Sequence, residues 1–181
     1  MVMGRTAALL LATAALAGNL LVRLPRTDSG DSDQSPRALR ARGNVLFKEF
    51  RFAEAERAYS EGFRSALASK DRAEELRLLI NLGSVRFATF RYREAMEAFV
   101  GASKLARRLG DRRLLSYAIS NLSSLYLQQQ DPNAGVGAAE DLLRDPTMQG
   151  APAVDPRVAL QLAVLFARRG DAPKAEGLFG Q

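Results

Sequence analysis

Two stretches forty residues apart decide the fold: RGNVLFKEFRFAEAERAYSEG at residues 42–62 and LGSVRFATFRYREAMEAFVGA at residues 82–102. In each stretch a small residue and an aromatic residue precede a short break. An alanine and a second aromatic residue follow that break. Because helical sequence continues on both sides of it, each stretch predicts a pair of helices joined by a tight turn.

The same spacing continues to the end of the chain in four columns of small and bulky residues. The columns are Gly43, Gly83, Ser123 and Ala163; Phe47, Phe87, Leu127 and Ala167; Ala55, Ala95, Gly135 and Ala175; and Tyr59, Phe99, Ala139 and Phe179. A small residue where two helices cross lets them approach closely, and a large side chain one turn away fills the remaining space. The columns predict an all-α fold of four stacked helical hairpins.

These motifs resemble the tetratricopeptide repeat (TPR) family. The resemblance covers about residues 36 to 181, is strong in the first two units, and is degenerate but in register in the last two. It implies a right-handed α-solenoid of antiparallel helical hairpins. We place the units at about 36–71, 72–111, 112–155 and 156–181. Their period exceeds the usual one of about 34 residues, and we expect the additional residues to lengthen the second helices.

The composition excludes several kinds of catalysis. The 181 residues include no cysteine and no histidine. This rules out disulfides, Cys or His metal sites, thiol nucleophiles and proton transfer by histidine. Glu54 and Glu94 recur at helix starts, where we expect a capping role, and do not form the opposed acidic pair of a hydrolase. We therefore expect no enzyme activity, no metal and no cofactor.

Basic residues exceed acidic ones by 26 to 20. The two signs are interspersed, and few aromatic side chains are present to stack on bases. The arginine pairs at 107–108, 112–113 and 168–169 are more typical of a solvated face. We expect no nucleic-acid partner.

Residues 1–24 differ in kind from the rest of the chain. Residues 6–22 carry no charge and are rich in alanine and leucine, and residues 15–17 offer the small side chains that signal peptidase recognises. The apolar run is also just long enough to span a bilayer. We expect a cleaved signal peptide or a transmembrane anchor, with extracytoplasmic repeats that contact the membrane only through this segment. Residues 25–35 are polar without periodicity and predict a disordered linker.

The TPR resemblance implies a concave groove, lined by the first helix of each unit, that binds a peptide or a partner helix. The groove positions of this chain are Arg37, Arg40, Asn44, Phe47, Lys48, Arg77, Asn81, Ser84, Phe87, Tyr117, Asn121 and Gln128. Positive charge concentrates at the N-terminal end, where charge-assisted hydrogen bonds would hold an anionic segment. We expect a protein or peptide partner of acidic or amphipathic character.

One subset of the family holds its ligand in a dicarboxylate clamp. Arg40, Asn44 and Asn81 match three positions of that clamp, with arginine in place of lysine. Tyr117 and Asn121 stand where two further cations should lie, so the clamp is incomplete. In the alternative interpretation, the two asparagines only bond neighbouring backbone.

The resemblance leaves three roles open: a scaffold that binds a protein segment, the N-terminal sensor region of a larger enzyme such as a caspase-like protease or a kinase, and a self-association module. Repeat arrays normally end in a capping helix with a polar outer face. The fourth unit stops before such a helix. Either the chain belongs to a longer protein, or exposed Leu178 and Phe179 dock on another subunit and form a homodimer.

Overall fold

The computed structural model describes residues 34–145 and 155–179, and the regular structure in these ranges is entirely helical. The helices are α1 (Pro36–Lys48), α2 (Phe52–Ser69), α3 (Arg72–Ala88), α4 (Tyr92–Leu109), α5 (Arg112–Gln128), α6 (Pro132–Leu143), α7 (Pro156–Arg169) and α8 (Ala172–Phe179). Within these ranges, no helix is both long enough and apolar enough to cross a membrane. The expected signal or anchor, residues 1–24, lies outside the described residues.

Consecutive helices pack in pairs, α1 with α2, α3 with α4, α5 with α6 and α7 with α8, and the hairpins stack in chain order. The first helices of neighbouring hairpins also contact each other, α1 with α3, α3 with α5 and α5 with α7. The predicted all-α solenoid of helical hairpins is confirmed. We refer to α1, α3, α5 and α7 together as the first-helix layer.

Every hairpin turns through one residue with left-handed backbone. These residues are Phe50, Phe90, Gln130 and Gly170, at φ values of 60°, 61°, 59° and 85°. In all four turns the following residue donates its N–H to the carbonyl five positions back, at 2.9 Å. This bond satisfies a carbonyl that the end of the first helix leaves unpaired. The forty-residue repeat of the sequence is thus also a repeat of backbone conformation.

In the first two hairpins only the first helix begins with a side-chain cap, whereas in the third hairpin both helices do. Asp71 and Asp111 cap α3 and α5, each accepting a hydrogen bond at 3.0 Å from the backbone N–H three residues later. Helices α2 and α4 begin without a side-chain cap. Glu54 does lie in the first turn of α2, but its carboxylate binds Arg51, at 2.8 Å from Nε and 2.6 Å from the terminal nitrogen. The expected capping role of Glu54 is therefore replaced by an ion pair.

The small and aromatic columns meet inside the first two hairpins. Tyr59 and Phe99 are only 3% and 1% exposed. A Cβ atom added to Gly43 would lie 2.5 Å from Cδ1 of Tyr59, and one added to Gly83 would lie 2.7 Å from Cδ1 of Phe99. Each ring therefore lies directly on a glycine backbone of the facing helix, which explains why those two positions carry no side chain.

The expectation of an exposed apolar face at the C-terminal end is wrong for Leu178. Its side chain is 7% exposed and belongs to the same buried cluster as Leu162 and Ala175. Leu178 is buried because α8 packs against α7 and turns this residue toward the shared core. The side chain of Phe179 lies outside the described residues.

Two glycine-to-alanine changes test the contact between aromatic ring and glycine. Gly83→Ala should lower the free energy of unfolding by about 1–3 kcal/mol, because the buried ring of Phe99 has to move. Gly101→Ala is the matched control within α4, since its Cβ would lie 3.9 Å from Leu79, an ordinary contact. That change should raise the free energy by about 0.5–1 kcal/mol through helix propensity. Urea unfolding followed by circular dichroism measures both, and equal effects would contradict the packing described.

Candidate functional site

A cavity of about 220 Å³ lies on the first-helix layer, between α1 and α3 and above α2. We call it the groove cavity. Its lining residues are Asn44, Phe47, Lys48, Tyr59, Asn81 and Ser84. Five of these six belong to the predicted groove set, and the sixth, Tyr59, comes from the packing columns. The structure thus brings together predicted site residues that are up to forty positions apart in sequence.

Asn44 is the centre of a hydrogen-bond network that joins three helices. Its Oδ1 accepts from the hydroxyl of Tyr59 at 2.9 Å and from Nδ2 of Asn81 at 2.8 Å. The two asparagines therefore bind each other, and the expected bond to neighbouring backbone is not what their side chains form. Within the described residues, Nδ2 of Asn44 and Oδ1 of Asn81 form no hydrogen bond. One donor and one acceptor remain for a ligand in the cavity.

Tyr59 connects this network to the core. Burial raises the pKa of its hydroxyl to about 12, and the neighbouring positive charge of Arg40 only partly opposes that effect. The hydroxyl consequently keeps its proton at neutral pH and donates it to Asn44.

The remaining walls of the cavity differ in character. Ser84 donates its hydroxyl hydrogen to the carbonyl of Ile80 at 2.9 Å, so its oxygen faces the cavity as an acceptor. Phe47 supplies an apolar wall, with its ring 5.4 Å from that of Phe52. Lys48 is exposed and forms no ion pair with any described residue. The cavity therefore offers amide groups, one hydroxyl, one aromatic ring and one free cation.

Arg40, the arginine expected in the clamp, is engaged within the chain. Its guanidinium binds both carboxylate oxygens of Glu74, at 2.6 Å and 3.3 Å. Arg77, another predicted groove residue, lies 3.3 Å from the same carboxylate. The Glu74 side chain is only 10% exposed. The two arginines compensate the negative charge of this nearly buried carboxylate. Neither arginine is a free cation in the groove. Glu74 is not among the groove residues that the sequence predicts.

The other predicted groove residues lie outside the cavity. Arg37 and Gln128 are exposed, Asn121 is half-buried, and Phe87 packs its ring 5.7 Å from Tyr92. Tyr117 donates its hydroxyl to Asp155 at 3.0 Å. A backbone N–H at Arg157 and this hydroxyl hold the pKa of Asp155 below its usual range. Tyr117 therefore joins α5 to the start of α7.

The C-terminal end of the first-helix layer is apolar where the N-terminal end is polar. Leu160 and Val164 on α7 are 52% and 41% exposed. In residues 34–145 and 155–179, no group of three or more acidic side chains is placed to hold a metal ion. The described part of the layer thus presents polar and basic groups at α1 and α3, and aliphatic groups at α7.

The sequence matches no family model and no curated protein. Solved structures do resemble the fold. BtubC from P. vanneervenii aligns with a TM-score of 0.66 and 16% identity, over 80% of this chain and 60% of that one. PilF from Pseudomonas aeruginosa aligns with a TM-score of 0.60 and 25% identity, over 82% and 61%. MamA aligns with a TM-score of 0.56 and 15% identity, over 86% and 80%.

The chain spans about three fifths of the length of the BtubC and PilF structures. All three matched proteins contain TPR units. The comparisons therefore support a TPR-like fold for this chain.

A double-mutant cycle tests the network at Asn44. Tyr59→Phe removes one hydrogen bond and should lower the free energy of unfolding by about 1 kcal/mol. In an Asn44→Ala background the same change should cost clearly less, because the acceptor is already absent. Tyr92→Phe is the control, since the Tyr92 hydroxyl forms no hydrogen bond in the part of the chain described. Additive effects of Asn44→Ala and Tyr59→Phe in urea unfolding would contradict the network.

Proposed function

We propose that the chain is a non-enzymatic scaffold that binds a segment of another protein along the first-helix layer, with the groove cavity as its main contact. The fold likeness to PilF and MamA supports a general protein-binding role. The observation that carries the proposal is the cavity itself, which combines unpaired amide groups, a free lysine and an aromatic wall. Few, well-placed polar groups beside apolar surface are typical of binding sites.

The size and polarity of the cavity indicate what part of a partner enters it. About 220 Å³ accommodates one side chain or a chain end. Nδ2 of Asn44 would donate to a carbonyl or carboxylate of the bound segment, and Oδ1 of Asn81 would accept from its backbone N–H. Lys48 would contribute a charge-assisted hydrogen bond to an acidic group.

Arg40 and Arg77 do not have the ligand-binding role that a clamp would give them. Because Arg40 and Arg77 neutralise Glu74, they shape the wall of the groove. Among the predicted groove residues, Lys48 and the exposed Arg37 are the cations left for an anionic segment. We infer that the groove prefers an acidic residue near α1, while the exposed leucine and valine of α7 favour apolar residues at the other end.

We further propose that residues 1–24 export this scaffold or tether it to a membrane. The support is their sequence, an uncharged apolar run followed by a polar linker. Under this proposal the binding partner is an extracytoplasmic protein.

The test is a binding titration with a defined peptide. A fluorescein-labelled peptide of alternating glutamate and leucine, with a free carboxyl terminus, is titrated with the full chain and followed by fluorescence anisotropy. Lys48→Glu should raise the dissociation constant about tenfold or more, because a charge-assisted hydrogen bond is lost and a repulsion is added.

Lys104→Glu is the matched control. It makes the same charge change on an exposed residue of α4, away from the first-helix layer. A parent chain that does not bind the peptide, or equal weakening by the two variants, would contradict binding at the groove cavity.

A further inference from the structure

Two highly exposed aromatic side chains lie outside the groove cavity. Phe50 and Phe90 are 79% and 77% exposed, which makes them the most exposed large apolar residues in the described ranges. They occupy the turns of the first two hairpins. We use the name turn edge for these two residues together with Gln130 and Gly170, which occupy the same turns of the last two hairpins.

The hairpin turn does not require phenylalanine. Gln130 and Gly170 adopt the same left-handed backbone and make the same turn. A bulky residue in this conformation is strained, whereas glycine is not. Exposing a phenyl ring to water is a second cost. Gly170 forms the turn without either cost and Gln130 forms it without an exposed ring, so the fold does not require phenylalanine at Phe50 and Phe90.

Each ring contacts one neighbouring aromatic ring. Phe50 packs edge-on against Phe52, with ring centroids 6.0 Å apart and an interplanar angle of 87°. Phe90 packs in the same way against Tyr92, at 6.2 Å and 83°. Each exposed ring therefore has the same local contact, with the aromatic residue two positions later in the chain.

Basic side chains flank both rings. Lys48 and Arg93 are exposed and form no ion pair with a described residue. Acidic side chains also lie near the rings, since Arg51 pairs with Glu49 and Glu54, and Arg91 pairs with Glu56 and Glu94. Aromatic rings beside unpaired cations match the chemistry of a bilayer surface, where rings enter the acyl boundary and cations meet anionic phosphates.

We propose that Phe50 and Phe90 insert into the surface of a bilayer containing anionic lipids, with Lys48 and Arg93 against the lipid phosphates. This inference rests on the proposed membrane tether, and it replaces the expectation that the repeats contact the membrane only through residues 1–24. Lys48 also lines the groove cavity, so the two rings and not the lysine distinguish lipid contact from peptide binding. Residues 23–35 connect the apolar run of residues 6–22 to α1 and span at most about 45 Å when extended. Helix α1, with 13 residues, is about 20 Å long. The linker is therefore long enough for the turn edge to reach the bilayer that holds the apolar segment.

The absence of tryptophan from the chain provides a direct test. Phe50→Trp and Phe90→Trp each introduce a single fluorophore at the turn edge of the full chain. Leu109→Trp is the matched control, because Leu109 is 44% exposed at the opposite end of α4. The three variants are reconstituted into vesicles of phosphatidylcholine and phosphatidylglycerol, and vesicle flotation reports separately whether the chain is tethered.

We expect the emission of Phe50→Trp and Phe90→Trp to shift to the blue and to be quenched by brominated lipids. Emission from Leu109→Trp should stay quenchable by iodide in the water. Adding Phe50→Gln, which copies the residue of the third turn, to Phe90→Trp should reduce the lipid quenching. Replacing phosphatidylglycerol by phosphatidylcholine should reduce it as well.

Water-exposed emission from both turn-edge variants on vesicles that carry the tethered chain would overturn the proposal. That result would assign the edge to a protein partner and leave the tether intact. Chain that does not float with vesicles would overturn both the tether and the lipid contact. The peptide titration of Phe50→Gln should equal that of the parent chain, so a failure of groove binding is recognised separately.

Discussion

The rest of the structure depends on the packing of one aromatic ring on one glycine in each of the first two hairpins. Tyr59 lies on Gly43 and Phe99 lies on Gly83 so closely that a methyl group at either glycine would overlap the ring. This contact sets how near the two helices of a hairpin approach. The first helices of neighbouring hairpins also contact each other and form the first-helix layer. In the first hairpin, the Tyr59 ring lies on Gly43 and its hydroxyl donates a hydrogen bond to Asn44. Tyr59 therefore belongs both to the core and to the groove cavity.

Much of the fold was predictable because its determinants repeat. Small and aromatic residues recur every forty positions, and two of the four columns meet in the contacts of Tyr59 with Gly43 and of Phe99 with Gly83. The cavity was predictable in part for the same reason, since Asn44, Asn81 and Ser84 follow from the register of the units. The hydrogen bond between the two asparagines was not, because it depends on how far neighbouring hairpins stand apart.

Features that do not repeat were missed. Glu74 pairs with Arg40 across two hairpins, and no local pattern of the sequence marks a carboxylate that reaches back to the preceding unit. The burial of Leu178 likewise depends on how a short last helix docks on α7. Both cases concern side chains whose neighbours come from another helix and are not set by the forty-residue spacing.

The first two hairpins carry most of the distinctive chemistry. The groove cavity lies on their first helices, and the two exposed phenylalanines lie at their turns. The last two hairpins repeat the backbone with smaller or more ordinary residues, such as Gln130 and Gly170 at the turns.

The pKa of Tyr59 tests the packing of its ring on Gly43 most directly. It is obtained by comparing the spectrophotometric titration of the parent chain with that of the Tyr59→Phe variant. Because burial on Gly43 raises the pKa of Tyr59, the parent chain should show one ionisation near pH 12 that the Tyr59→Phe variant lacks. The contribution of the neutral hydroxyl to stability should be complete below about pH 10 and should be lost as the pH rises from about 10 to 12. If the ionisation that the variant lacks lies near pH 10, Tyr59 is solvated. That result would contradict the packing on which both the hairpin and the cavity depend.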